Sequence, residues 1–169
     1  MKKWIIFIMI LVVVVIWLKM INWKKTEYIW IKVEWSSMYP TLKQWKLYKA
    51  MTVNDYSELK NGDIVVFKLY NSKRYFIKRL WIKPNDIFKL NYKNNSLQII
   101  INAKYSLQMK NYKNSSFYKM LKIWSKWKNE GKVNNLQCGV IWDNQNISQD
   151  SLDYGFISCE RIRYKLLKY

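Results

Sequence analysis

The chain has 169 residues, enough for one domain and one anchor, and carries 30 Lys+Arg against 11 Asp+Glu, a formal net charge of +19. It contains no histidine, which excludes a Ser-His-Asp triad and zinc sites built on histidine. The charge fits an anionic membrane surface or a merely lysine- and asparagine-rich composition, and no basic run interleaved with aromatics forms a recognisable nucleic-acid motif, so no specific nucleic-acid partner is expected.

After Lys2 and Lys3, residues 4–18 read WIIFIMILVVVVIWL, unbroken apolar sequence. Continued through Lys19 to Trp23 the stretch has 20 positions, which matches the roughly 20 residues needed to cross a bilayer, with Lys19 reaching to the interface. No small-x-small cleavage site follows, and the first alanine is Ala50; a retained anchor is therefore predicted rather than a cleaved leader. Lys2 and Lys3 compete with Lys19, Lys24 and Lys25, so charge alone does not set its direction. The predicted division is residues 1–25 as cytoplasmic stub and transmembrane anchor, and 26–169 as a β-rich domain.

Beyond the anchor the hydrophobic period changes. EYIWIKVEW (27–35) alternates as a half-buried strand does and ends at Ser36 and Ser37. NGDIVVFKLY (61–70) is a turn and then a β-branched run; KRYFIKRLWI (73–82) is a further strand, closed by the turn KPND (83–86). IFKLNY and NNSLQIIINAKYSLQM predict one or two hairpins around Asn94 and Asn95. Residues 116–130 have apolar groups at helical spacing and predict a short helix, with strand as the alternative. LQCGVIW (136–142) is a last strand, feeding the polar loop DNQNISQD and then SLDYGFIS. Strands separated by turns rather than helices predict a mainly β fold with an antiparallel sheet or barrel. Cys138 and Cys159 lack metal-ligand spacing. They read as two small buried residues, or as one disulfide if the domain lies outside the cytosol. Neither a metal nor a cofactor is expected.

A serine without histidine is still a nucleophile if an amine takes its proton. Lysine is charged near neutral pH, but burial among apolar groups disfavours the ammonium, and a desolvated lysine then serves as general base. The chemistry needs a serine in a rigid turn and a lysine on a strand with apolar flanks. Pro40 fixes the backbone just beyond Ser37, in SSMYPTL, and holds Tyr39 extended. Lys78 stands in YFIKRL beside Ile77, Phe76 and Leu80. Singly, Ser37 reads as a turn serine, Lys78 as a solvated charge, and Ser148 as a loop residue bonding its own backbone.

Taken in order, SSMYPTL, GDIVVF, YFIKR followed by KPND, and DNQNISQDSLDYG resemble the type I signal peptidases, over residues 33–155 and behind an N-terminal hydrophobic segment. The resemblance implies Ser37 as nucleophile, Lys78 as general base, Ser148 as the residue holding that lysine, and Asp150 as a structural acid. Ser36 is expected beside the oxyanion donor, the backbone N–H of Ser37. It implies a signal-peptidase-like catalytic domain of coiled antiparallel sheets with a less regular insertion at roughly 90–135. It further implies secretory preproteins with small residues at the cleavage site as partners, and the lipid bilayer as the working surface. A single-pass place in the cell membrane, with the catalytic domain on the extracytoplasmic side, goes with these. Ile31, Val33, Met38, Leu42, Phe76 and Ile77 are expected to line shallow apolar pockets for an extended substrate. A conjugative-transfer peptidase of the same chemistry, a self-cleaving repressor domain, and an inactive membrane-anchored basic binding protein are the alternatives; the anchor argues against the repressor.

Three departures from that pattern stand out. Leu152 stands where the family has arginine, and Asn85 where it has the glycine of Pro-Gly-Asp. Trp35, Trp45 and Trp142 stand where glycines are expected. Ten Trp and four Gly together make about the share glycine alone usually has, roughly 7%. The expectation is that UGA codons read as glycine in the natural host underlie these three positions.

Overall fold

The computed structural model of the chain describes residues 2–21, 26–70, 72–93, 96–110, 112–125, 129–144, 151 and 155–169. In chain order these form helix α1 (Lys2–Ile21), strands β1 (Tyr28–Lys32), β2 (Leu47–Thr52), β3 (Ile64–Lys68), β4 (Tyr75–Ile82), β5 (Ile87–Lys93), β6 (Ser96–Ile101) and β7 (Tyr105–Lys110), helix α2 (Ser116–Trp124), and strands β8 (Glu130–Lys132), β9 (Gln137–Ile141), β10 (Ile157–Ser158) and β11 (Ile162–Leu166). Trp4 and Ile8–Trp17 of α1 are exposed. Among the described residues no helix is long and apolar enough to cross a membrane. The turn predicted at Asn94 and Asn95 lies outside the described residues, as do Ser148, Asp150 and Leu152.

The strands build two antiparallel sheets, as a mainly β reading requires. One has seven strands in the order β1-β2-β11-β3-β4-β9-β10, the other four in the order β7-β6-β5-β8. Within the larger sheet, β3 is buried on both faces. Its IVVF run alternates between two cores: Ile64 and Val66 pack with Val33, Met38, Leu42, Ala50 and Leu166, while Val65 and Phe67 pack with Leu59, Leu80, Val140 and Ile162. β-branched residues suit such a doubly covered strand, because each pleat face meets close-packed neighbours. The second sheet wraps its inner face, including Phe88, Leu90, Leu97, Ile99 and Ile101, around Phe117 and Leu121 of α2.

Two turns join these layers. Asp86, 4% exposed, accepts from Asn61 Nδ2 at 2.6 Å, Asn102 Nδ2 at 2.9 Å and Lys83 N at 2.9 Å. A buried carboxylate persists only when its lone pairs are met in this way. Asn85 beside it takes φ 69°, a left-handed conformation that asparagine tolerates better than most residues. The cysteines are both buried and joined as a disulfide, Cys138–Cys159, so the alternative of a disulfide holds and two free thiols do not. The bridge ties β9 to the turn preceding β11.

Candidate active site

Three local features build the turn that carries Ser37. Residues Ser36–Met38 form one 3₁₀ turn, closed by the Tyr39 N–H to the Ser36 carbonyl at 3.0 Å, and the Tyr39–Pro40 peptide is cis. Met38 and Leu42 are 0% exposed and linked by the Leu42 N–H to the Met38 carbonyl at 2.8 Å. With both side chains sunk in the core, the intervening backbone has little freedom. The turn's flanks are sewn together by Val33 N to Lys46 O (3.0 Å) and Trp45 N to Val33 O (2.6 Å).

Lys78 comes from the interior of β4, which lies between β3 and β9. Its register partner is Val65. The side chain is 4% exposed, and its Nζ donates to Ser37 Oγ at 2.8 Å across 41 residues of sequence. A hydroxyl of intermediate exposure thus meets a buried amine at hydrogen-bond distance, the geometry nucleophile and base require.

Arg79, next along β4, holds the surroundings. It donates to Asp143 through Nε at 2.8 Å and Nη2 at 2.5 Å, a bidentate pair. Nη1 reaches the Gly62 carbonyl at 2.7 Å and Tyr169 Oη at 3.3 Å, and Nη2 reaches Thr41 Oγ1 at 3.4 Å. The bond to Asp143 raises the guanidinium pKa, against the opposing pull of burial. Asn144 follows Asp143 and closes on the serine turn: its N–H donates to Ser37 O at 3.0 Å and its Nδ2 to Ser36 O at 3.1 Å. Thr41, Asn144 and Tyr169 were not singled out by their sequence, although Asn144 stands inside the motif DNQNISQD.

Of the expected pocket residues, Val33, Met38 and Leu42 are buried at 2%, 0% and 0% exposure. Ile31 and Ile77 are half-buried against the same core. Phe76 packs in the neighbouring core, stacked on Phe67 with ring centroids 5.8 Å apart. Trp35 is extended, with φ −121°, and its indole is 65% exposed. No group of three or more metal-ligating side chains occurs among the described residues.

The family described as "Signal peptidase, peptidase S26" matches residues 1–166, and the chain belongs to that family. It is similar to Signal peptidase I T of Bacillus subtilis (strain 168), 46% identical over 59 residues, covering 34% of this chain and 31% of the relative. It is also similar to Signal peptidase I of Bacillus amyloliquefaciens, 41% identical over 68 residues, covering 40% of this chain and 34% of the relative. The chain thus matches about a third of the length of these curated relatives.

Proposed function

We propose that the chain is a membrane-bound serine endopeptidase that removes signal peptides from exported preproteins, with Ser37 as nucleophile and Lys78 as general base. The observation that carries the reading is the 2.8 Å contact between Ser37 Oγ and the buried Lys78 Nζ, in a chain without histidine. Ser37 Oγ attacks the scissile carbonyl and forms a C–O bond while the neutral Lys78 amine takes its proton. The Ser37 N–H faces the oxyanion. As the C–N bond breaks, Lys78 returns the proton to the leaving amine, and water then hydrolyses the acyl ester. A preorganised donor of this kind is worth about 3–4 kcal/mol to the transition state. In this reading Ser148 steadies Lys78, Asp150 stabilises its loop, and Ser36 flanks the oxyanion donor.

The substrate would pair in extended form with β1, an end strand of the seven-stranded sheet, because an open edge accepts another strand through its main chain. Half-buried Ile31 and Ile77 would present shallow apolar surface, backed by Val33, Met38 and Leu42, to small side chains. The anchor belongs to the same reading. The described side chains of α1 alone fall short of a span, but its full 20 residues, KKWIIFIMILVVVVIWLKMI, rise about 30 Å, the thickness of a hydrocarbon core. The Cys138–Cys159 disulfide supports an extracytoplasmic catalytic domain, since such bonds persist in oxidising compartments.

The test is cleavage of a preprotein in vesicles by the parent chain and by Ser37→Ala and Lys78→Ala. Cleavage at the signal-peptide junction, abolished in both variants with their melting transitions retained, is expected. Undiminished processing by either variant would refute the dyad, and an inert parent chain would favour the binding-protein alternative.

A further inference from the structure

We propose that Asn144 is the positioning residue that aims the oxyanion donor of this site; the inference rests on the peptidase reading above and deepens it. The peptide unit is planar. In a trans peptide the C=O and the following N–H point in opposite directions and rotate together. The carbonyl of Ser36 and the N–H of Ser37 belong to one such unit. The Ser36 carbonyl is held by two donors, Tyr39 N at 3.0 Å and Asn144 Nδ2 at 3.1 Å. Fixing that carbonyl turns the Ser37 N–H away from Asn144, toward the side on which an attacked carbonyl oxygen would develop charge. Donation to the carbonyl also polarises the unit and makes the N–H a better donor. The next unit is fixed too, because the Asn144 N–H donates to Ser37 O at 3.0 Å. One residue therefore holds both peptide planes that flank the nucleophile.

Asn144 is itself held in place from β4. Its neighbour Asp143 is gripped by Arg79 through two hydrogen bonds, and Arg79 follows Lys78 directly. The arginine also reaches Thr41 within the serine segment (3.4 Å) and Tyr169 (3.3 Å), with its guanidinium 5.6 Å from the Tyr169 ring centre. The base and the oxyanion donor are thereby referenced to the same stretch of strand. A shift of β4 moves both together, which preserves their relation to the scissile bond.

The predicted signature is selective. Asn144→Ala and the near-isosteric Asn144→Asp remove the Nδ2 donor while the backbone N–H remains. In preprotein cleavage each should lower kcat about 10- to 100-fold, less than outright loss of an oxyanion donor costs because the Ser37 N–H stays and is only less well aimed, with KM within about twofold, because ground-state pairing with substrate does not use that donor. A peptide boronic acid, which forms a tetrahedral anionic adduct with a nucleophilic serine, should lose affinity by a similar factor, while an uncleaved product peptide binds as before. An independent readout is the amide resonance of Ser37, which should shift in both variants while the rest of the spectrum stays in place. Parent-like kcat and an unmoved Ser37 amide would overturn the proposal. So would equal losses of boronate and product-peptide binding, which mark a general loosening. An inactive parent chain, or an active Ser37→Ala variant, would instead strike the peptidase reading, and the Ser37 amide would still decide whether Asn144 holds that peptide.

Discussion

Trp45 adopts φ 66° with its side chain 62% exposed, so its indole contributes little burial to offset a left-handed backbone. The cation of Lys32 lies 5.2 Å from its ring centre, a contact worth about 0.5–1 kcal/mol when exposed. The left-handed conformation costs a side-chain-bearing residue about 1–2 kcal/mol. Trp45→Gly is therefore expected to leave stability unchanged or raise it by up to about 1 kcal/mol, read as an upward shift in urea midpoint. A loss of more than 1 kcal/mol would show that the indole holds the turn. Backbone angles separate two of the three tryptophans expected to be glycine. Trp45 occupies backbone that favours glycine, whereas Trp35 at φ −121° occupies backbone open to any residue. At this scale the motif spacing made legible the pairing of Ser37 with Lys78, which meet at 2.8 Å, and the left-handed turn at Asn85. It was silent on contacts made through main-chain carbonyls and on the side-chain pairing of Arg79 with the distant Tyr169. Asn144 acts on groups every residue possesses, and Tyr169 meets Arg79 across 90 positions.

Among the elements, β3 and β4 were readable because each combines β-branched or aromatic residues with a bounding turn. β2 and β11 were not: LYKAMT and IRYKL intersperse lysine and arginine, and only pairing to each other and to β1 and β3 makes them strands. α2 covers only Ser116–Trp124 of the region with helical spacing. It starts at Ser115, whose hydroxyl accepts from Tyr118 N at 3.4 Å, a side-chain N-cap. Near its end the hydroxyl of Ser125 donates to Lys122 O at 2.8 Å. The disulfide acts at this scale as well. It closes a loop with a sequence separation of 21 and, on the chain-entropy account, contributes about 3 kcal/mol. Replacing Cys138 and Cys159 together by alanine should lower unfolding free energy by about that amount in urea titration. A change below 1 kcal/mol would mean that packing of β9 alone fixes the segment leading to Asp143.

For the whole molecule, the exposed apolar α1 and the net charge of +19 offer two routes to a membrane, hydrophobic insertion and attraction to anionic lipid. Zwitterionic vesicles remove the second route. The full chain should co-sediment with them in high salt, and a chain lacking residues 1–25 should stay in the supernatant. Release of the full chain by salt would contradict the proposed anchor. The mainly β class and antiparallel pairing followed from strand runs parted by turns, whereas the division into sheets of seven and four strands depends on pairings between segments far apart in sequence, which no local pattern encodes.

Activation of the Ser37 hydroxyl by the buried Lys78 amine is tested most directly by acyl transfer to that hydroxyl. A p-nitrophenyl ester of a short peptide ending in alanine transfers its acyl group to a nucleophilic serine and releases p-nitrophenolate. Mass mapping after rapid acid quench should place the acyl group on Ser37 in the parent chain and find none in Lys78→Met. Acylation at another residue, or full-rate acylation of Ser37 when Lys78 is methionine, would contradict it.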